Sequence, residues 1–173
     1  MTPARRMWHL AYALGRERMF STRMLIMLPI LLLFIPGMAW GFADPNLQLP
    51  ADQLPETATE TMFLASIGIV FAGTMAAVII AHDGISRDRT SGVLEVRLSQ
   101  PMPRWRQGIV LIFGHWSSIA LPVTALLVAS MFLVGYRSDL WIPLGDAVVY
   151  IVAALLVLLW YTVFALLASS IAK

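Results

Sequence analysis

The chain has no cysteine, so neither a disulfide framework nor a thiolate metal site can form. Charge is scarce too: 13% of the 173 residues are charged, 59% are hydrophobic and the mean hydropathy is +0.77. Such values lie outside the range of soluble globular domains and identify a membrane protein. Four stretches hold no Asp, Glu, Lys or Arg at all: Met24 to Ala43, Thr61 to His82, Gly108 to Tyr136 and Ala147 to Ala172. Each is long enough to cross a hydrocarbon core of ~30 Å, which takes roughly 20 helical residues. The first begins only after 23 residues and is a full span in length, which reads as a retained helix and not as a cleaved signal.

The missing intramembrane charge also narrows function. Secondary transporters and proton pumps keep ionisable groups at membrane depth despite a cost of ~2.5 to 3.5 kcal/mol each, and these spans contain no carboxylate, lysine or arginine. His115, near the start of the third run, is read as a satisfied interfacial histidine in preference to a proton relay. His9, His82 and His115 are far apart, and Met24 and Met27 stand one turn apart without a third soft ligand, so no metal site is expected. A G-x-x-x-x-G-K phosphate loop, an H-E-x-x-H helix and a hydroxyl nucleophile paired with a base are all missing. The chain is therefore expected to be non-catalytic and to bind no cofactor or nucleic acid itself.

What is present is a sorted distribution of charge. Arg5, Arg6, Arg16, Arg18 and Arg23 precede the first span, and Arg87, Arg89, Arg97, Arg104 and Arg106 separate the second from the third. The segment between the first two spans, 44–60, has no basic residue but carries Asp44, Asp52, Glu56 and Glu60; the last loop holds only Arg137. With Lys173, eleven of the twelve basic residues fall on one side of a four-span topology. The positive-inside rule makes that side cytoplasmic, with both termini inside and 44–60 as an external connector.

Around these spans the sequence predicts two shorter helices. Residues 3–20 place Met7, Leu10, Ala11 and Leu14 on one face and Arg5, His9, Tyr12 and Arg16 opposite, which suits an amphipathic helix in the headgroup plane; the plain alternative is a basic flank that only sets orientation. In the segment 83–107, Ser86 to Leu98 can be helical, with Gly92 a weak point, before Pro101 and Pro103 force a turn. Leu94 and Leu98 share one side and Val93 and Val96 another, with charges between. Such a helix fits between its own membrane spans and a second protein, although a solvated positive-inside loop has the same composition. Pro29, Pro36 and Pro122 remove backbone donors inside spans one and three. Gly68 and Gly73, with Ala65, Ser66, Ala72, Ala76 and Ala77, give span two the small residues that close helix packing requires.

The run "SRDRTSGVLEVRLSQPMPR" resembles the signature of type-2 ATP-binding-cassette (ABC) transporter permeases, approximately S-R-E-R-E-x-G-T-L-E-x-L-L-S-x-P-[IV]-[ST]-R. Ser86, Arg87, Arg89, Gly92, Leu94, Glu95, Leu98, Ser99, Pro101 and Arg104 match, and Asp88 stands for Glu. "LGRERMFSTR", with Arg16 and Glu17 before a basic entry to the first span, is also similar to that family's opening. Thr90, Val93, Pro103 and the "QG" before span three depart from the pattern, which marks a divergent subgroup. The family usually has six spans, so the resemblance implies a partial membrane domain ending after the fourth, the alternative being an unusual short form.

That resemblance implies an all-α polytopic helical membrane protein with four transmembrane helices, an N-terminal interfacial helix and a cytoplasmic coupling helix. It implies a permease subunit in the cytoplasmic (inner) membrane of a bacterium or archaeon. The expected partners are a cytoplasmic ABC ATPase that supplies the ATP and magnesium chemistry, a second permease subunit, commonly identical, and the lipid bilayer. Arg87, Ser91, Gly92, Leu94, Glu95, Leu98, Pro101 and Arg104 are the expected coupling residues: Leu94 and Leu98 to fill a groove on the ATPase, Arg87 and Glu95 to make charged contacts, Gly92 to allow close backbone approach. The "LSQP" form is similar to relatives that serve copper-enzyme maturation. The competing reading is a non-transporting scaffold or assembly factor that anchors a cytoplasmic partner through the same block.

Overall fold

The computed structural model describes residues 3–47, 50, 54–93, 95 and 103–171, and all its regular elements are helical. In chain order they are α1 (Pro3–Met19), α2 (Thr22–Phe42), α3 (Ala58–Gly68), a π-helical turn (Ile69–Gly73), α4 (Thr74–Ala81), α5 (Gly84–Thr90), α6 (Arg104–Ser138) and α7 (Leu144–Ile171). Four continuous helices are long and apolar enough to cross a membrane: Thr22–Phe42, Ala58–Thr90, Arg104–Ser138 and Leu144–Ile171. The chain is thus an all-helical, multi-pass membrane protein.

Helix ends follow local chemistry. Ser21 caps α2 by accepting the Met24 N–H at 3.3 Å, and Thr57 and Glu60 form a reciprocal capping box at the start of α3. The segment 44–60, read as one connector, therefore gives its last three residues to helix. α2 continues through Pro29 and Pro36, and α6 through Pro122.

The interior is built from single stripes. Met24, Met27, Leu31, Ile35 and Ala39 are the buried positions of α2, while Leu25, Ile26, Leu32 and Leu33 are exposed on its other side. Helices apolar all round are the pattern of membrane spans. In hydrocarbon an apolar side chain gains little by leaving lipid for protein, so close packing and interhelical hydrogen bonds hold the helices. Gly68 illustrates the first: a Cβ there would stand 2.4 Å from the Phe34 carbonyl oxygen of α2. Gly114 of α6 is covered by Leu14 of α1, its Cβ position 2.6 Å from Leu14 Cδ2. For the second, Trp116 Nε1 donates to the Leu155 carbonyl at 3.0 Å and Tyr150 Oη to the Met62 carbonyl at 2.9 Å.

The small residues of the second span coincide with a local change of winding. The Thr74 N–H reaches back to the Ile69 carbonyl, and the Thr74 hydroxyl donates to that of Val70. This inserts one extra residue and rotates the buried face. Such bulges concentrate at functional positions.

α1 uses its apolar face against α6. Ala11 and Leu14 are buried and Met7 is half-buried, but Leu10 is 42% exposed, so the packed stripe is narrower than the four residues expected. Trp8 meets Phe113 edge-on at 5.4 Å, and Phe113 meets Trp116 at 5.7 Å, tying α1 into the bundle. At the opposite end Arg137 pairs with Asp44 and lies 4.1 Å from the Trp40 ring centroid. The one basic residue at that end is neutralised by the acidic connector.

A β-branched side chain at Gly68 should force α2 and α3 apart. We expect Gly68→Val to lower the thermal unfolding midpoint in detergent, at a cost of about 1 to 3 kcal/mol, whereas Gly37→Ala, with none of the described residues within 4 Å of the added carbon, does not lower it. The Asn46 N–H, and next Arg137, hold the Asp44 carboxyl below its ordinary range. Because this pKa is depressed by folding, the stabilisation is complete above the usual carboxylate range and disappears as the pH falls through the depressed value. Asp44→Asn should remove that acid-side component from the pH dependence of the midpoint, and an unchanged profile would refute the linkage.

Candidate functional site

The first residues of the charged block are embedded in the bundle. Asp83, between α4 and α5, accepts both guanidinium arms of Arg23 from the start of α2, Nη1 to Oδ1 at 2.5 Å and Nη2 to Oδ2 at 2.6 Å. The fork matches the carboxylate plane, so the pair fixes orientation as well as charge. Since Asp83 is committed to Arg23, it makes no side-chain cap for α5.

Another helix supplies that cap. Ser169, near the end of α7, accepts the backbone N–H groups of both Ile85 and Ser86 at 3.0 Å. These are first-turn donors with no partner inside their own helix. Ser169 is almost fully buried at 1% exposure, so the exchange takes place out of solvent. Arg89 then donates to the Ser170 carbonyl at 3.0 Å, adding a cation to the C-terminal end of α7, where the helix dipole is negative.

A third connection runs to α6. A Cβ at Gly84 would lie 2.7 Å from His115 Nε2 and 3.1 Å from Leu166 Cδ2, so only a residue without a side chain lets α5 begin here. His115 is 0% exposed, with Nδ1 2.9 Å from the Leu111 carbonyl. It is an interior residue of the bundle, enclosed beside the first residue of α5. Asp83 and the seven-residue α5 thereby touch the start of α2, His115 of α6 and the end of α7.

The expected continuous helix from Ser86 to Leu98 is corrected by the structure. α5 ends at Thr90, Ser91 closes the turn through its hydroxyl on the Asp88 carbonyl at 3.3 Å, and Gly92 adopts φ 73°. That left-handed conformation is the usual glycine terminator of a helix. Among the described residues nothing lies within 4 Å of a Cβ at Gly92, and its visible role is to stop α5 and redirect the backbone. Val93 and Glu95 then resume helical geometry and both are exposed.

The other expected residues divide accordingly. Arg87, Ser91 and Glu95 are exposed, and Arg104 is exposed at the start of α6, four residues before the third span was expected to begin. Leu94, Leu98 and Pro101 lie outside the described residues. Arg23, Asp83, Gly84, Ser169 and Ser170 were missed: Arg23 reads as a basic flank and the two serines as ordinary span-end residues. Asp83 followed by Gly84 directly after an apolar run was the one local signal.

The ion pair is testable by itself. A double-mutant cycle on Arg23→Ala and Asp83→Ala should give a coupling of about 1 kcal/mol in thermal unfolding, since both groups are partly exposed. Additive single effects would show that the pair is structurally idle.

Residues 16–173 match the family profile described as ABC-2 family transporter protein. Neither the curated proteins nor the solved structures contain a match to this chain. The matched region takes in all four spans and the whole of the charged block, so the chain belongs to the ABC-2 family of transporter membrane proteins.

Proposed function

We propose that the chain is the permease subunit of an ABC exporter in the cytoplasmic membrane, driven by a separate ATPase subunit that docks on the charged block. Membership of the ABC-2 family supplies the class, a membrane transport component. The observation that supports the coupling role is the attachment of Asp83 and α5 together to three spans, through Arg23 on Asp83, Ser169 on the α5 amides, and His115 against Gly84. A loop present only for charge balance needs none of these contacts.

The division of labour follows from the side chains. ATP and magnesium are handled by the partner. The exposed Glu95 beyond Gly92, with Leu94 and Leu98, forms the docking surface, and Arg87, exposed on α5, adds a charged contact beside it. When the ATPase dimer closes, it displaces the block, and α5 passes the displacement to α2, α6 and α7 together. The bundle then needs two packings of similar free energy, so that nucleotide can select between them. The π-helical turn above Thr74 and the prolines of α2 and α6 provide places where the spans can bend. A second permease subunit, most simply a second copy, completes the pathway.

The decisive experiment joins the chain, with any downstream reading frame, to the neighbouring ATPase in lipid and measures ATP hydrolysis and transport. Glu95→Ala and Leu94→Asp should leave membrane insertion intact and uncouple hydrolysis from transport. Ser169→Ala, which removes the acceptor of two half-buried N–H groups, should loosen α5 by about 1 kcal/mol and lower transport per ATP hydrolysed. Unchanged coupling in all three variants, or failure of any ATPase to bind, would overturn the proposal.

A further inference from the structure

A cavity of about 350 Å³ opens beside the start of α2, between the α1–α2 turn and α5, and is lined by Glu17, Arg18, Phe20, Ser21, Thr22, Arg23, Ile80 and Arg87. We infer that it binds the phosphodiester headgroup of an anionic phospholipid. The inference rests on the arrangement of these side chains and does not require the transport reading.

The charges define the ligand. Three guanidinium groups line the cavity with one carboxylate, Glu17, and the charge of Arg23 is matched by Asp83. One net positive charge remains, which suits a monoanionic phosphodiester better than a dianionic free phosphate. Arg18 Nε is buried and has no hydrogen-bond partner among the described residues, although an enclosed guanidinium N–H ordinarily finds an acceptor. The Ser21 oxygen accepts from the Met24 N–H, which leaves its own proton free to be donated.

Backbone donors add to these. Thr22 and Arg23 occupy the first turn of a 21-residue helix, where N–H groups lack intrahelical acceptors and the dipole favours an anion. The apolar side of the cavity chooses between a lipid and a free anion. The Phe20 ring is 76% exposed beside the first residues of a membrane span, a position for the glycerol and upper acyl chain of a lipid whose phosphate sits among the arginines. Basic pockets at the ends of membrane helices recognise headgroups by this chemistry.

The test uses the full chain purified in neutral detergent, with phosphatidylglycerol or phosphatidylcholine added as mixed micelles at matched mole fraction, and inorganic phosphate in a separate arm. Apparent affinity is read from the rise in unfolding midpoint. Phosphatidylglycerol should raise the midpoint saturably and phosphatidylcholine should not. Arg18→Gln with Arg87→Gln should weaken the phosphatidylglycerol effect about 30-fold, from the roughly fivefold that each basic side chain contributes near an anionic surface. Arg5→Gln with Arg6→Gln, which removes the same charge elsewhere, should leave it intact. If the first pair fails to fold, Arg87→Gln alone, at an exposed side chain, should weaken binding about fivefold. Equal losses in both pairs, an equal response to phosphatidylcholine, or an equal response to inorganic phosphate would each overturn the assignment.

Discussion

The bidentate pair between Arg23 and Asp83 is the constraint on which this end of the molecule depends. It joins the first residues of one span to the last of another across sixty positions of sequence. Because it occupies the carboxylate that would otherwise cap α5, it leaves the first amides of α5 open to another acceptor. Ser169 is that acceptor, and through it the fourth span is drawn to the same point. The ion pair and the hydroxyl cap are therefore linked, since each decides what the other has available.

This economy suits a helical bundle in lipid. Apolar faces do not distinguish a protein neighbour from an acyl chain, so specificity must come from polar contacts and from places where backbones approach closely. The structure puts close approaches at Gly68 against Phe34 and at Gly114 beneath Leu14, and polar contacts at Trp116, Tyr150 and the α5 knot. The middle of the bundle is mainly packing and the arginine-rich end mainly directed bonds. Directed bonds can be exchanged as a unit, whereas a packed apolar stripe resists sliding.

The charged block itself has two parts. Gly84 to Thr90 belongs to the bundle, with Asp88 buried and Arg89 on the end of α7. From Val93 to Trp105 the described side chains are exposed. The left-handed Gly92 marks the boundary between the two parts. The distinction explains why so dense a block of charge can stand in so apolar a chain: part of it is satisfied internally, and part is offered outward.

Much of this was legible in the residues. The four uncharged runs dictated the spans, because no other backbone arrangement satisfies its own hydrogen bonds across hydrocarbon over such lengths. The signature from Ser86 to Arg104 pointed to the family, and the small residues of span two anticipated close packing. What only the tertiary structure decided was pairing. Nothing in the spacing of Arg23, Asp83 and Ser169 connects them, since helical periodicity reports which residues share a face of one helix and not which helix that face meets. Gly92 looked like a weak point within a helix and proved to be its end, because a local sequence allows both conformations. The choice fell to the contacts that stop α5 at Thr90. His115 is the last case: its place near the start of an apolar run gave no neighbour, and the fold closes Gly84 of α5 over it.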